Sequence, residues 1–161
     1  MAVRDLNECE IVQNAALGSV LLWRFASGFQ GTAHAGAPLP LLFLVLPICF
    51  QRTSLDSVAR TRRNSGLALF VARLGEVRED LLAIHTRALA LRQLSTDSLV
   101  VGVSAGLLTL DYRQAFVRAN TRSDPILPER LKPMWDAAER LGHWCATVSL
   151  SQTATLLKVN F

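Results

Sequence analysis

The chain has 161 residues, of which half are apolar and only 19% are charged. This length favours one folded domain and excludes a multidomain enzyme, and this composition excludes intrinsic disorder along the whole chain. The net charge is +4, with arginine supplying 15 of the 17 basic residues, and a surplus this small does not identify a nucleic-acid-binding protein. Small domains normally dilute their apolar content with surface charge, so the mean hydropathy of +0.27 predicts that some apolar surface meets another protein.

The first part of the chain predicts two helical segments joined by a connector. Residues 14–29 are apolar on most faces, so we expect a mostly buried helix with Asn14 as its N-cap. Residues 31–40 are rich in Gly, Ala and Pro and predict a connector. The apolar run at 39–50 has twelve residues, whereas a membrane-spanning helix needs about twenty. We therefore predict a core segment there rather than a membrane span, kinked or ended by Pro47.

Three further helices are predicted in the middle of the chain. Thr53 followed by Asp56 resembles a helix start, and the next residues predict a short amphipathic helix. Residues 65–75 begin with Ser and end with Gly, which predicts a second helix. Residues 76–92 carry acidic side chains early and arginines late. Because that charge polarity complements a helix dipole, a third helix is expected there.

The next stretch predicts a helix that leads into a hairpin. The sequence STDS at 95–98 predicts a helix start, and Gly106 predicts the end of that helix. Two apolar runs within residues 107–118 are separated by four polar or turn residues, which predicts a two-stranded hairpin. A helix that ends in Gly and feeds a hairpin is typical of a winged-helix unit, whose wing would be this hairpin. An α+β hairpin of another kind fits the same sequence.

Apolar residues at spacings of three and four predict a long helix over 130–148, and residues 150–161 predict a short last helix or strand. The predicted fold class is mainly α with a small β-hairpin (α+β). We expect one compact, winged-helix-like domain over residues 1–161, because no linker or internal repeat divides the chain.

Residues that could carry chemistry are few and scattered. His143 and Cys145 lie two residues apart, but no nearby group completes four metal ligands. The three cysteines Cys9, Cys49 and Cys145 are widely spaced and contain no CxxC pair, which favours free thiols in a reducing cytoplasm. The charged first ten residues predict no signal peptide. Phosphate-binding loops, nucleophile elbows and zinc-protease motifs are missing from the sequence. We therefore expect no catalytic, cofactor-binding or metal-binding residue.

A basic segment offers a candidate nucleic-acid contact. Residues 52–92 hold eight arginines against four acidic residues, and the densest part contains Arg60, Arg62 and Arg63. On a helix these guanidinium groups could contact DNA phosphates without recognising bases. The alternative is a solvated or acid-paired helix face, which the sequence leaves open.

Aromatic residues suggest where a protein partner binds. Trp135 follows the apolar rows of the predicted helix over 130–148, so it belongs to the core. Trp144 lies nine residues further on and off those rows, so we assign it to a partner surface, where tryptophan is enriched. Phe29 and Phe161 are further candidates for this surface.

Three stretches resemble a known bacterial family: NAALGSVLLWRFASGF at 14–29, PLPLLFLVLPICFQRTSLDSVARTR at 38–62 and GLLTLD at 106–111. They are similar to the middle component of three-component ABC ATPase systems (ABC-3C), the small subunit of Lamassu-type antiphage defence. The resemblance implies a cytoplasmic, non-catalytic accessory subunit that bridges an SMC-like coiled-coil ABC ATPase and a nuclease-like effector. It also implies that the subunit is brought to DNA as part of the complex.

Two other classes of function compete with this interpretation. A stand-alone winged-helix DNA-binding regulator needs polar and basic residues on the helix before the wing, and LVVGVSAG at 99–106 has almost none. An enzyme needs His, Asp and Ser groupings that the sequence lacks.

Overall fold

The computed structural model describes residues 14–161, which form helices around one long helix, with a small sheet beside them. The helices are α1 (Ala15–Ala33), α2 (Leu39–Leu42), α3 (Val45–Cys49), α4 (Arg52–Arg60), α5 (Gly66–Leu74), α6 (Arg78–Ala90), α7 (Arg92–Ser104), α8 (Lys132–Ala146) and α9 (Leu150–Leu157). The strands are β1 (Ala37–Pro38), β2 (Leu108–Asp111) and β3 (Phe116–Ala119). The predicted class, mainly α with a small β-hairpin, is confirmed.

Helix α1 organises the core. It begins at the predicted N-cap, where the Asn14 side chain accepts a hydrogen bond from the Leu17 N–H at 2.9 Å, satisfying one of the free amides of the first turn. Leu22, Phe25 and Ala26 on this helix are almost fully buried. Because α1 packs against α8 on one side and α7 on another, its sequence is apolar on most faces.

Glycines allow α1 and α8 to cross with their backbones in contact. A Cβ atom added at Gly28 would overlap the Glu139 carbonyl oxygen, and one added at Gly142 would overlap the Phe25 carbonyl oxygen. Only glycine leaves room for an approach this close. The position of α8, and of the side chains it carries, therefore depends on these two residues.

The apolar run contains two short helices rather than one kinked helix. A turn at Phe43 and Leu44 separates α2 from α3. Pro47 explains this position, because it has no N–H for the Phe43 carbonyl and its ring would clash with that group. Residues 45–49 are all buried.

Within residues 14–161, no single helix has the length and apolar character needed to cross a membrane. The segments Leu39–Cys49 and Arg52–Arg60 meet that requirement only together, as a pair bent by 102°.

Two predicted helix starts are wrong. Helix α4 begins at Arg52 because the Gln51 side chain caps it, accepting from the Ser54 N–H at 2.7 Å, so Thr53 already lies inside the helix. Helix α7 begins at Arg92 rather than at 95–98. Its Ser95 and Ser98 are buried, and a Cβ atom at Gly18 of α1 would overlap the Ser98 Oγ. These serines serve close helix packing rather than capping.

The hairpin forms as predicted and gains a third strand. Leu110 of β2 pairs with Val117 of β3, and β1 pairs antiparallel with the other edge of β3 through Ala37. The prediction of a plain connector at 31–40 is therefore wrong at Ala37–Pro38. Pro38 is tolerated because β1 is an edge strand. The winged-helix likeness stays a prediction.

The remaining helices match their predictions closely. Helices α5 and α6 lie within the predicted segments 65–75 and 76–92, and α8 lies within 130–148. The last segment, left open between helix and strand, forms α9. It begins with a capping box between Ser149 and Gln152, an arrangement that satisfies two free amides at once.

Candidate partner-binding surface

An apolar groove with a volume of about 340 Å³ lies between the segment around α2, the C-terminal half of α6 and the last described residues. The side chains that matter most for its shape and charge are Leu39, Phe43, His85, Leu89, Arg92 and Phe161. These residues come from three distant parts of the sequence, which the fold brings together.

Helix α6 is apolar on two faces, and only one of them is buried. Ile84 is fully buried against the core, whereas Leu82 and Leu89 are 46% and 59% exposed. The two exposed leucines are seven residues apart and therefore share one face of the helix. Phe161 is 53% exposed at the groove. Apolar surface thus remains uncovered where the groove opens.

The polar side chains that line the groove are those of Arg92, His85 and Asn160. Arg92 is exposed and has no acidic partner among residues 14–161. The backbone N–H of Asn160 donates to His85 Nδ1 at 3.4 Å. No Asp or Glu of the described residues lines the groove. Its electrostatic character therefore favours an anionic group.

The three arginines of the predicted nucleic-acid contact do not share a helix. Helix α4 ends at Arg60, and the chain is extended at Thr61, so Arg62 and Arg63 point from a connecting turn. Arg63 Nη1 lies 2.8 Å from Glu139 Oε1 on α8. Arg60 and Arg62 are exposed without an acidic partner in the described part of the chain. The expectation that all three guanidinium groups lie on this helix is wrong, because the helix includes only Arg60.

Other arginines of this region stabilise the fold. Arg140 Nη1 donates to the carbonyl oxygens of Val58 at 3.0 Å and Thr61 at 3.1 Å, and Arg73 donates to the Arg60 carbonyl. Cations at the C-terminal end of a helix satisfy its last carbonyls and complement its dipole. Part of the local basic surplus is therefore structural.

Two of the predicted partner-surface residues lie in the core. Trp144 is 0% exposed, its indole N–H donates to the Arg63 carbonyl at 2.8 Å, and its ring stacks on Phe70 with centroids 5.6 Å apart. Phe29 is 7% exposed. The surface assignment of Trp144 and Phe29 is wrong, because α8 packs against α5 as well as α1 and so buries more than one face. Trp135 is buried, as expected.

Phe161 alone of the three predicted residues is exposed. Its contact with a partner stays a prediction. The prediction from the sequence does not include Leu89 and Arg92. A signal was available in the second apolar row on α6, in which Leu82 and Leu89 lie seven residues apart.

The side chains that could be reactive are buried or hydrogen-bonded within the fold. Burial raises the pKa of both the Cys49 and the Cys145 thiols to about 12, which keeps them protonated and unreactive. His143 Nδ1 lies 2.6 Å from the Thr32 hydroxyl. Cys9 lies outside the described residues. Within residues 14–161, no three His, Cys, Asp or Glu side chains are grouped in a way that could hold a metal ion.

A mainly α domain with an uncovered apolar groove favours a binding protein. A model of the family ABC-three component (ABC-3C) system Middle Component 3 matches residues 3–161, and the chain belongs to this family. Membership implies an accessory role in a system of several components, and it confirms the resemblance to the middle components of such systems. No curated protein and no solved structure matches the chain.

Proposed function

We propose that the chain is a non-catalytic adaptor of a Lamassu-type antiphage defence complex in the bacterial cytoplasm. It bridges an SMC-like coiled-coil ABC ATPase and a nuclease-like effector. The observation that carries this proposal is the uncovered apolar groove, with Leu89 and Phe161 more than half exposed. Family membership supports an accessory role, and an accessory subunit needs a surface of this kind.

The adaptor regulates the effector through differential binding. A protein without its own chemistry shifts an equilibrium only if it binds one state more tightly than the other. The chain therefore makes more contacts in one of the two assemblies, resting or activated. When the ATPase senses foreign DNA, this difference in contact free energy changes what the effector can do.

The packing of potential catalytic groups supports the non-catalytic role. The thiols of Cys49 and Cys145 are buried and protonated, and His143 pairs with Thr32. A nucleophile or general base instead needs access to substrate and a pKa near the working pH.

Co-expression tests the proposal. The chain, tagged, is produced with the ATPase and effector encoded by the neighbouring genes, and the purified material is examined by size-exclusion chromatography. We expect one complex that contains all three proteins, and we expect the chain to self-associate when produced alone. The proposal is contradicted if the chain is a monodisperse monomer that binds neither protein. If that monomer also binds a defined DNA operator at physiological salt, a stand-alone regulator is favoured.

Contact with DNA backbone is a second candidate role within the same complex. It is favoured by Arg60 and Arg62, which are exposed and unpaired with any acid in the described part of the chain. Recognition of bases is not favoured, because residues 99–104 of α7, which lead to the hairpin, contain no basic residue and expose Val100 and Val101, whereas base edges are read mainly by hydrogen-bonding side chains. The contact would thus be independent of the DNA sequence.

A further inference from the structure

We propose that the apolar groove binds a segment of another protein of the three-component system, and that this segment carries an apolar side chain beside an Asp or Glu. The inference rests on the proposed function and deepens it by naming the surface and the chemistry of its occupant. It is carried by the shape of the groove and by the sign of its charge.

The shape of the groove suits inserted apolar side chains. Its floor and walls include Leu39, Phe43 and Leu44 from one side and Ala88 and Leu89 from the other. The volume of about 340 Å³ has room for more than one such side chain. Because Leu89 is 59% exposed in the chain alone, an inserted side chain would remove its apolar surface from water as well as its own.

The charge of the groove selects an acidic neighbour for that apolar group. Arg92 lies at the groove without an acidic partner among residues 14–161, and no Asp or Glu side chain of those residues lines the groove. An arriving Asp or Glu can pair with the guanidinium through two parallel hydrogen bonds. A basic segment would meet uncompensated repulsion at the same place. Charge complementarity therefore favours an acidic, apolar segment.

Labelled peptides provide a direct test. Fluorescein-labelled peptides that tile the ATPase and effector sequences are titrated with the full chain, and binding is followed by fluorescence polarisation. The groove variants are Leu89→Glu and Arg92→Glu. Ile126→Glu and Arg113→Glu are matched controls, since Ile126 is fully exposed, Arg113 is exposed and neither lines the groove. All four positions are solvent-accessible, and circular dichroism verifies that each variant is folded.

We expect bound peptides to share an apolar residue next to Asp or Glu. Each groove variant should weaken binding by about tenfold or more, as expected when a central contact is lost, and the controls should leave binding unchanged. Replacing the acidic peptide residue with Lys should restore binding to Arg92→Glu. This rescue distinguishes a direct charge pair from a general loss of structure.

Several results would overturn the inference. Equal binding by groove variants and controls would do so, as would a preference for basic peptides. Groove-dependent binding to anionic lipid vesicles instead of peptides would assign the groove to another occupant. If the groove variants still form the three-protein complex and no acidic peptide binds, the inference fails and the proposed function stands. If the wild-type chain joins neither protein, the proposed function fails as well.

Discussion

At the scale of single residues, Arg140 links α8 to the end of α4 through hydrogen bonds. Its guanidinium donates to the carbonyls of Val58 and Thr61, so Arg140→Leu leaves both without this donor. We expect the free energy of unfolding to fall by about 1–3 kcal/mol, the cost of unsatisfied polar groups. Chemical denaturation measures this loss. Arg62→Leu is the matched control, because Arg62 is exposed, and it should change stability by less than about 0.5 kcal/mol.

His143 makes stability depend on pH. Burial, repulsion from Arg63 and, in opposition, attraction to Glu139 leave its pKa below the ordinary 6.5. The folded chain thus binds a proton less readily than the unfolded chain, so stability is complete above pH 6.5 and falls as the pH drops below it. Chemical denaturation at about pH 8 and about pH 5 measures this slope. His143→Gln, which can still bond Thr32, should reduce it.

The source of the His143 shift can be tested separately. Arg63→Gln removes a cation that disfavours the imidazolium, so a proton NMR titration should show the His143 pKa moving upward. An unchanged pKa in this variant, together with an unchanged pH slope in His143→Gln, would show that neither group shapes the pH response.

At the scale of elements, the crossing of α1 and α8 sets the architecture. A methyl group at Gly142 would overlap the Phe25 carbonyl, so Gly142→Ala must push the helices apart. We expect a loss of about 1–3 kcal/mol in the free energy of unfolding. Gly31→Ala is the control of opposite sign. Gly31 lies in α1, the helix that crosses α8, but no atom lies within 4 Å of an added Cβ there, and this variant should stabilise the protein by about 0.5–1 kcal/mol.

Thermal unfolding of the two glycine variants tests whether the backbones of α1 and α8 are in contact. If Gly142→Ala melts at the wild-type temperature, the two backbones are not in contact. If Gly31→Ala is destabilised as much as Gly142→Ala, the loss comes from alanine at a helical glycine and not from the crossing.

Elements governed by local rules could be predicted from the sequence. The N-cap at Asn14 and the β2–β3 hairpin depend on neighbouring residues, and both are correct. Strand β1 could not be predicted, because two residues at 37–38 become a strand only when they pair with β3, about eighty residues away. Likewise, Ser95 and Ser98 resemble a cap until α1 covers them. Long-range packing overrides local preference in both cases.

At the scale of the whole molecule, long-range packing also determines the candidate site, which local sequence therefore does not locate. The sequence predicts an apolar partner surface, yet it places that surface at Trp144 and Phe29, which are buried. The groove is formed by segments near residues 40, 88 and 160, and no window of sequence contains all three. Only Phe161 among the predicted partner residues lies there. Only the part of the groove that α6 contributes has a periodic signal, the exposed row of Leu82 and Leu89.

The salt dependence of DNA binding tests the basic connector in the assembled complex. Each phosphate contact releases counterions, and the plot of log affinity against log salt has a slope of about −0.9 per contact on duplex DNA. If Arg60 and Arg62 each contact one phosphate, the double variant Arg60→Gln and Arg62→Gln should reduce that slope by about 2 for every DNA sequence tested. Arg78→Gln with Arg113→Gln removes the same charge from exposed positions outside the groove and should leave the slope unchanged. Equal changes in both pairs would indicate net charge rather than contact. No change in either pair would place the DNA on the other components and leave this chain with protein contacts alone.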